Sequence, residues 1–174
     1  MTHTTYNINS SVIPKTISNQ TFIYNQLVRL FNNITAEDEL VNLTFTDCSL
    51  TDDTYRLPTI ADNIRSIEFI NFDFNKLTTI SKSFMCKHKL ENVAFINCKT
   101  PCLSYAVSAF CDCSNLSNIS FVNFDTSFVF DMSSMFYDCS MFEIVRFKFI
   151  RYIESKLYGV YVLRMRTIGK YHIW

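Results

Sequence analysis

Apolar and polar positions recur along this chain with a period of 26 residues. Each unit holds a short stretch in which apolar and variable residues alternate, ending on asparagine, as in Val93, Phe95 and Asn97; the same pattern returns at 119–123. An upstream copy, 43–48, joins with a step of 24. The alternation places the apolar residues on one face of a short β-strand. Fixed self-similarity of this length is the signature of a solenoid, whose units bury their apolar faces against one another.

The pattern predicts how each unit closes. Parallel strands stacked about 4.8 Å apart would place equivalent residues in columns of Leu, Ile or Val, and Phe. A Ser-rich turn then precedes Phe84, Phe110 and Phe136, which we expect to fill the core from the convex side. Seventeen Phe and only 2 Gly suit this plan, because Phe fills a wide, flat core and turns must then use Asn, Asp and Ser. The predicted fold class is an α/β repeat: a solenoid of parallel short strands with short helical or irregular convex segments.

The repeat divides the chain into three parts. Residues 1–39 are predicted to be an N-terminal capping segment with one helix, and residues 40–147 a solenoid of about four coils of 24–26 residues. Residues 148–174 form an out-of-phase basic tail. The cap is predicted from five apolar residues on one side of a helix, with Ser18 as N-cap, because solenoid ends need covering. These residues are Ile23, Leu27, Leu30, Phe31 and Ile34.

The tail differs from the rest of the chain in charge as well as in phase. Residues 1–145 hold 9 Lys or Arg and 15 Asp or Glu, whereas residues 146–174 hold 7 and 1. Such a tail could contact nucleic acid or a membrane surface. We favour another hypothesis: the tail is a fifth repeat read in the wrong frame. Shifted by one base, the codons of 168–173 can encode Leu-Glu-Asn-Ile-Thr-Phe, close to the sequence at 90–95. This hypothesis predicts that the next reading frame continues the repeat and that the tail has no nucleic-acid partner.

A polar column follows the predicted strands. It contains Asp47, Asn71, Asn97 and Asn123. We interpret it as a structural ladder that closes the hydrogen bonds of buried backbone where the chain leaves each strand. A ligand site is the alternative interpretation of the same side chains.

The residues between the buried positions should point outward and form the partner-binding face. They are Ser66, Glu68, Ile70, Asn92, Ala94, Ile96, Asn118, Ser120 and Val122. The last residue of each strand would make an apolar stripe, and exposed apolar stripes mark contact sites. The alternative is that β-branched residues simply suit strands.

Two segments of the last coil resemble a known repeat. Asn123-Phe124-Asp125-Thr126-Ser127 and the run Asp131-Met132-Ser133-Ser134-Met135-Phe136-Tyr137-Asp138-Cys139-Ser140 are similar to the repeats of BspA-like leucine-rich-repeat surface proteins, including mycoplasma-type surface lipoproteins. The resemblance is strongest at 116–142. It implies a leucine-rich-repeat-like solenoid at a cell surface, used for adhesion or host-protein binding, with no catalytic residues to transfer. No signal peptide is seen in 1–11, so a cytoplasmic location is the alternative.

Candidate chemistry is sparse. The seven cysteines match no zinc-binding spacing, and we interpret them mainly as small buried residues; Cys113 and Cys139, one coil apart, could form a disulfide. His88 is the one histidine outside the start and the tail, and 2 glycines cannot build a phosphate-binding loop. No apolar run reaches the roughly 18 residues of a membrane span. We therefore predict no enzyme activity, no metal or other cofactor, no membrane insertion, and a protein ligand. An intracellular interaction scaffold, or a truncated non-functional copy of a longer repeat protein, is the alternative.

Overall fold

A computed structural model of the chain describes residues 16–34, 39–51 and 54–140, together with the backbone of one strand at Ile144–Lys148. The predictions for residues 1–15 and for the tail beyond Lys148 lie outside the described residues.

Within these residues the chain forms eight strands and one helix, and six of the strands build one parallel sheet in the order β1-β3-β5-β6-β7-β8. The two shortest strands, β2 and β4, pair separately. The bounds are β1 Thr16–Ser18, β2 Thr21–Phe22, α1 Tyr24–Asn32, β3 Val41–Thr46, β4 Ser49–Leu50, β5 Ile64–Ile70, β6 Asn92–Ile96, β7 Asn118–Val122 and β8 Ile144–Lys148.

The register of the sheet follows the sequence repeat. Phe45 pairs with Phe69 across the step of 24, and Phe69, Phe95 and Phe121 pair in turn across steps of 26. Strand β8 continues the series by pairing with β7. The molecule is a β-solenoid of about four turns with little helix, so the predicted repeat solenoid of parallel strands is confirmed.

Stacked aromatic rings fill the interior. On the strand side, the centroids of successive rings lie 5.2, 5.1 and 5.5 Å apart from Phe45 to Phe121, with interplanar angles of 11° or less. On the opposite side, Phe84 stacks on Phe110 at 4.8 Å, and Phe110 stacks on Phe136 at 5.4 Å. All of these rings are buried. The repeated Phe positions are therefore the side chains that pack one coil on the next.

The segments that return the chain to the sheet are irregular. Between 71 and 140, where every residue is described, they contain turns and isolated bridges and no α-helix. Backbone hydrogen bonds still join the coils there; for example, the Phe84 N–H donates to the Ala109 carbonyl at 3.0 Å. Of the two predicted forms for the convex side, the irregular one is present, because each coil satisfies its backbone groups against the next coil.

The corners of the coil have left-handed backbone conformation. Eleven non-glycine residues among those described have positive φ, and nearly all fall into three columns. These columns are Asp47, Asn71, Asn97 and Asn123; Lys82, Ser108 and Ser134; and Cys86, Asp112 and Asp138, with Asn19 in the first coil. Glycine usually takes such positions, and Asn and Asp tolerate them best among the other residues. The corners therefore explain how a chain with 2 glycines turns repeatedly.

The N-terminal segment differs from its prediction in two details. Ser18 is not the N-cap: it lies in β1, which pairs with β3, and the helix begins after Ile23. The Ile23 N–H is capped instead by the Gln26 Oε1 at 3.0 Å, and the Ile23 side chain is 41% exposed rather than packed. The other four apolar residues of the predicted helix face are buried. Because β1 and β2 pair with β3 and β4, the described part of the parallel stack includes residues from Thr16 onward, ahead of the recognised repeat.

Candidate protein-binding face

The outward positions of β5, β6 and β7 form three columns across the sheet. Ser66, Asn92 and Asn118 pair in the first; Glu68, Ala94 and Ser120 in the second; and Ile70, Ile96 and Val122 in the third. Their neighbours at the alternate positions are buried, whereas these nine residues are half-buried or exposed. We call these nine residues the outward face.

The columns of the outward face differ in chemistry. Along the first column, the Asn118 Nδ2 donates to the Asn92 Oδ1 at 2.9 Å. In the middle column, Glu68 is followed by two residues with small side chains, Ala94 and Ser120. The third column is aliphatic. The surface therefore has a shallow middle track between an amide edge and an aliphatic edge.

Strand β3 extends this surface beyond the nine residues that the alternation predicted. Asn42, Thr44 and Thr46 pair with Ser66, Glu68 and Ile70 respectively. The Thr44 hydroxyl donates to the Glu68 Oε2 at 3.3 Å. The step of 24 that aligned Leu43 and Phe45 with the next coil already contained this signal. At the other end, the backbone of β8 brings Ile144, Arg146 and Lys148 into the three columns.

The polar column forms a continuous chain of side-chain hydrogen bonds. The Asn71 amide donates to the Asp47 Oδ1 at 2.9 Å, the Asn97 amide to the Asn71 Oδ1 at 3.2 Å, and the Asn123 amide to the Asn97 Oδ1 at 2.7 Å. All four side chains are exposed. The sequence predicted that these side chains would bond buried backbone groups; in the structure their hydrogen-bond partners are the neighbouring side chains of the same column. All four residues have φ between 50° and 54°, so the need for a left-handed corner explains the residue type.

Charges beside the outward face are paired between coils. Arg65 Nε lies 2.9 Å from Glu91 Oε2, and Lys99 Nζ lies 3.1 Å from Asp73 Oδ2. Both pairs are substantially exposed, so each contributes little to stability.

Four of the seven cysteines are buried: Cys48, Cys98, Cys113 and Cys139. The thiols of Cys113 and Cys139 donate to the carbonyls of Phe84 and Phe110 in the preceding coil, at 2.8 and 3.0 Å. Burial raises the pKa of Cys98 and Cys113 to about 12 and that of Cys139 to about 11. These thiols are therefore protonated and poorly reactive at neutral pH. All seven cysteines are free, so the Cys113–Cys139 disulfide that the spacing allowed is not formed.

Other candidate chemistry is limited in the described part of the chain. No group of three or more His, Cys, Asp or Glu there is arranged to hold a metal ion. None of the described helices is long and apolar enough to cross a membrane. His88 is exposed, with its Nδ1 3.3 Å from the Ser114 Oγ.

Comparisons with known proteins found no match for this chain among family models, curated proteins or solved structures.

Proposed function

We propose that this chain is a non-enzymatic protein-binding repeat module and that the outward face is its contact surface. The observation that carries the proposal is the in-register arrangement of half-buried, mostly uncharged side chains over successive parallel strands. Repeat scaffolds commonly bind partners along such extended sheets. The contact side chains lie on strands held by the Phe stacks, so little conformational entropy is lost when a partner binds.

The size of the surface limits the kind of contact. The three strands of the outward face together with β3, at about 4.8 Å spacing and with five residues of each strand, cover about 300 Å². A standard interface takes about 800 Å² from each partner. The outward face alone therefore supports a weak or transient contact. A tighter complex must extend over the adjacent corner, where the exposed ladder offers amide donors and acceptors.

We propose surface adhesion or host-protein binding as the biological role, on the strength of the resemblance of residues 116–142 to BspA-like leucine-rich repeats. The alternative is an intracellular interaction scaffold. Oxidised cysteines in protein recovered from the medium would favour adhesion, and free thiols in cytosolic protein would favour the scaffold.

A pair of matched variants tests the location of the contact. Ala94→Lys with Ser120→Lys places two bulky cations in the middle track of the outward face. Ser108→Lys with Ser134→Lys adds the same charge at corner positions whose equivalent, Lys82, is already lysine with the same backbone conformation. Wild type and both variants are applied to an array of purified extracellular and cytosolic proteins, after their unfolding midpoints have been compared.

The expected result is at least one protein that wild type and the corner variant bind equally and the face variant binds about tenfold more weakly, a loss of about 1.4 kcal/mol. Extracellular partners would support adhesion, and cytosolic partners would support the scaffold. Equal binding by all three proteins would refute the outward face as the contact surface.

A further inference from the structure

Two of the more accessible thiols lie side by side in successive coils. The Cys86 N–H donates to the Cys111 carbonyl at 2.8 Å. Standard bond lengths limit the separation of the two Cα atoms to about 7 Å if every bond along this path were collinear, and the bent angles of real groups shorten it. Disulfides join Cα atoms about 4.4–6.8 Å apart. The backbone therefore holds these two cysteines within disulfide range.

Their surroundings separate them from the buried thiols. Cys86 is exposed and Cys111 is partly exposed, whereas Cys113 and Cys139 are buried nearby and donate to backbone carbonyls. Burial is the main cause that raises the pKa of Cys111, and the charges of Asp112 and Cys86 add to it. At the same repeat position in the next two coils, the residue is an aspartate, Asp112 and then Asp138.

We propose that Cys86 and Cys111 are a modification site that forms an inter-coil disulfide by exchange with a low-molecular-weight disulfide such as oxidised glutathione. One thiolate attacks a glutathione sulfur, which breaks the glutathione disulfide, releases one reduced glutathione and leaves a mixed disulfide. The second cysteine then attacks the protein sulfur of that mixed disulfide and releases the second glutathione. Two thiols are oxidised, one disulfide is reduced, and the two protons end on the two released glutathione thiols.

The disulfide would tie two coils that are otherwise joined by hydrogen bonds and packing. It closes a loop of about 25 residues, and loops of this size lose substantial entropy in the unfolded chain when they are cross-linked. We expect oxidation to raise the Tm by about 5–10 °C. The inference does not depend on the proposed protein-binding function.

The test uses the whole reduced protein, folded, incubated with oxidised glutathione and then quenched with acid. Trypsin cuts after Lys82 and Lys87 and isolates Cys86, and a protease that cuts before aspartate separates Cys111 from Cys113 at Asp112. Mass spectrometry then identifies the linked peptides. Because Cys102 and Cys111 share the peptide 100–111, fragment-ion spectra distinguish them as partners of Cys86, and the Cys102→Ser variant checks that assignment. Cys102→Ser, which removes a different exposed thiol, is the matched control, and Cys86→Ser removes one member of the pair.

The expected result is a Cys86–Cys111 peptide in at least tenfold excess over every other pair, in wild type and in Cys102→Ser. Cys86→Ser should leave Cys111 free or joined to glutathione, without the rise in Tm. Glutathione on both Cys86 and Cys111 with no cross-link would overturn the proposal, as would a dominant Cys113–Cys139 pair. A cross-linked protein with a lower Tm would show that the geometry is strained and would also overturn it.

Discussion

The asparagine corners allow backbone conformation to be separated from side-chain hydrogen bonding. Asn97 has φ of 54°, donates its amide to Asn71 and accepts from Asn123. Asn97→Ala loses both hydrogen bonds and places an ordinary Cβ in the left-handed region. Asn97→Gly loses the same hydrogen bonds but tolerates this φ without strain.

The magnitudes follow from these two terms. A left-handed conformation costs an ordinary residue about 1–2 kcal/mol. The two hydrogen bonds are exposed, so water replaces them, and their loss should cost less than the roughly 1 kcal/mol of a typical hydrogen bond. We expect Asn97→Ala to destabilise the fold by about 2 kcal/mol and Asn97→Gly by less than about 1 kcal/mol.

Urea unfolding followed by far-UV circular dichroism measures the difference. A loss of about 2 kcal/mol lowers the midpoint by about 1 M, given typical slopes for small proteins. Asn118→Ala is the control, because Asn118 also bonds a neighbouring amide but lies in a strand, where alanine meets no left-handed strain. If Asn97→Gly costs as much as Asn97→Ala, the ladder rather than the corner conformation selects asparagine, and the reasoning is wrong.

Two further predictions concern the core. Phe95 is fully buried and stacks between Phe69 and Phe121, so Phe95→Ala should cost about 3–5 kcal/mol and lower the calorimetric Tm by roughly 10 °C. The control Phe128→Ala, at a position 61% exposed, should change stability by less than about 0.5 kcal/mol. Similar losses for both variants would contradict the stacked core. Because the pKa of Cys113 rises from 9.0 to about 12 on folding, the unfolded chain releases this proton first, and the free energy of unfolding should fall as the pH rises from about 9 towards 12. When the free energy of unfolding from denaturant titrations is plotted against pH over this range, it should fall less steeply in Cys113→Ala than in wild type, by about 1 kcal/mol per pH unit. Equal dependence on pH in the two proteins would show that the buried thiol does not contribute.

Much of the fold was predictable because the repeat carries its own register. Spacing alone aligned Phe69 with Phe95 and Phe121, and alternation alone assigned Ile67 to the interior and Glu68 to the outward face. The N-terminal strands were missed, since β1 and β2 are three and two residues long and β1 pairs with β3 across a step of 28. Segments so short carry too little periodicity to be recognised.

The sequence by itself therefore determined the period, the buried columns and the outward columns, because side-chain direction along a strand depends on local alternation. Only the tertiary structure decided the contacts at the corners. The repeat aligns Cys86 with Asp112, but its N–H bonds the carbonyl of Cys111, 25 residues away and one short of the period. The same step of 25 joins the Phe84 N–H to the Ala109 carbonyl and the Phe110 N–H to the Met135 carbonyl. It follows from the direction of the hydrogen bonds between stacked coils, which exist only once the coils are packed together.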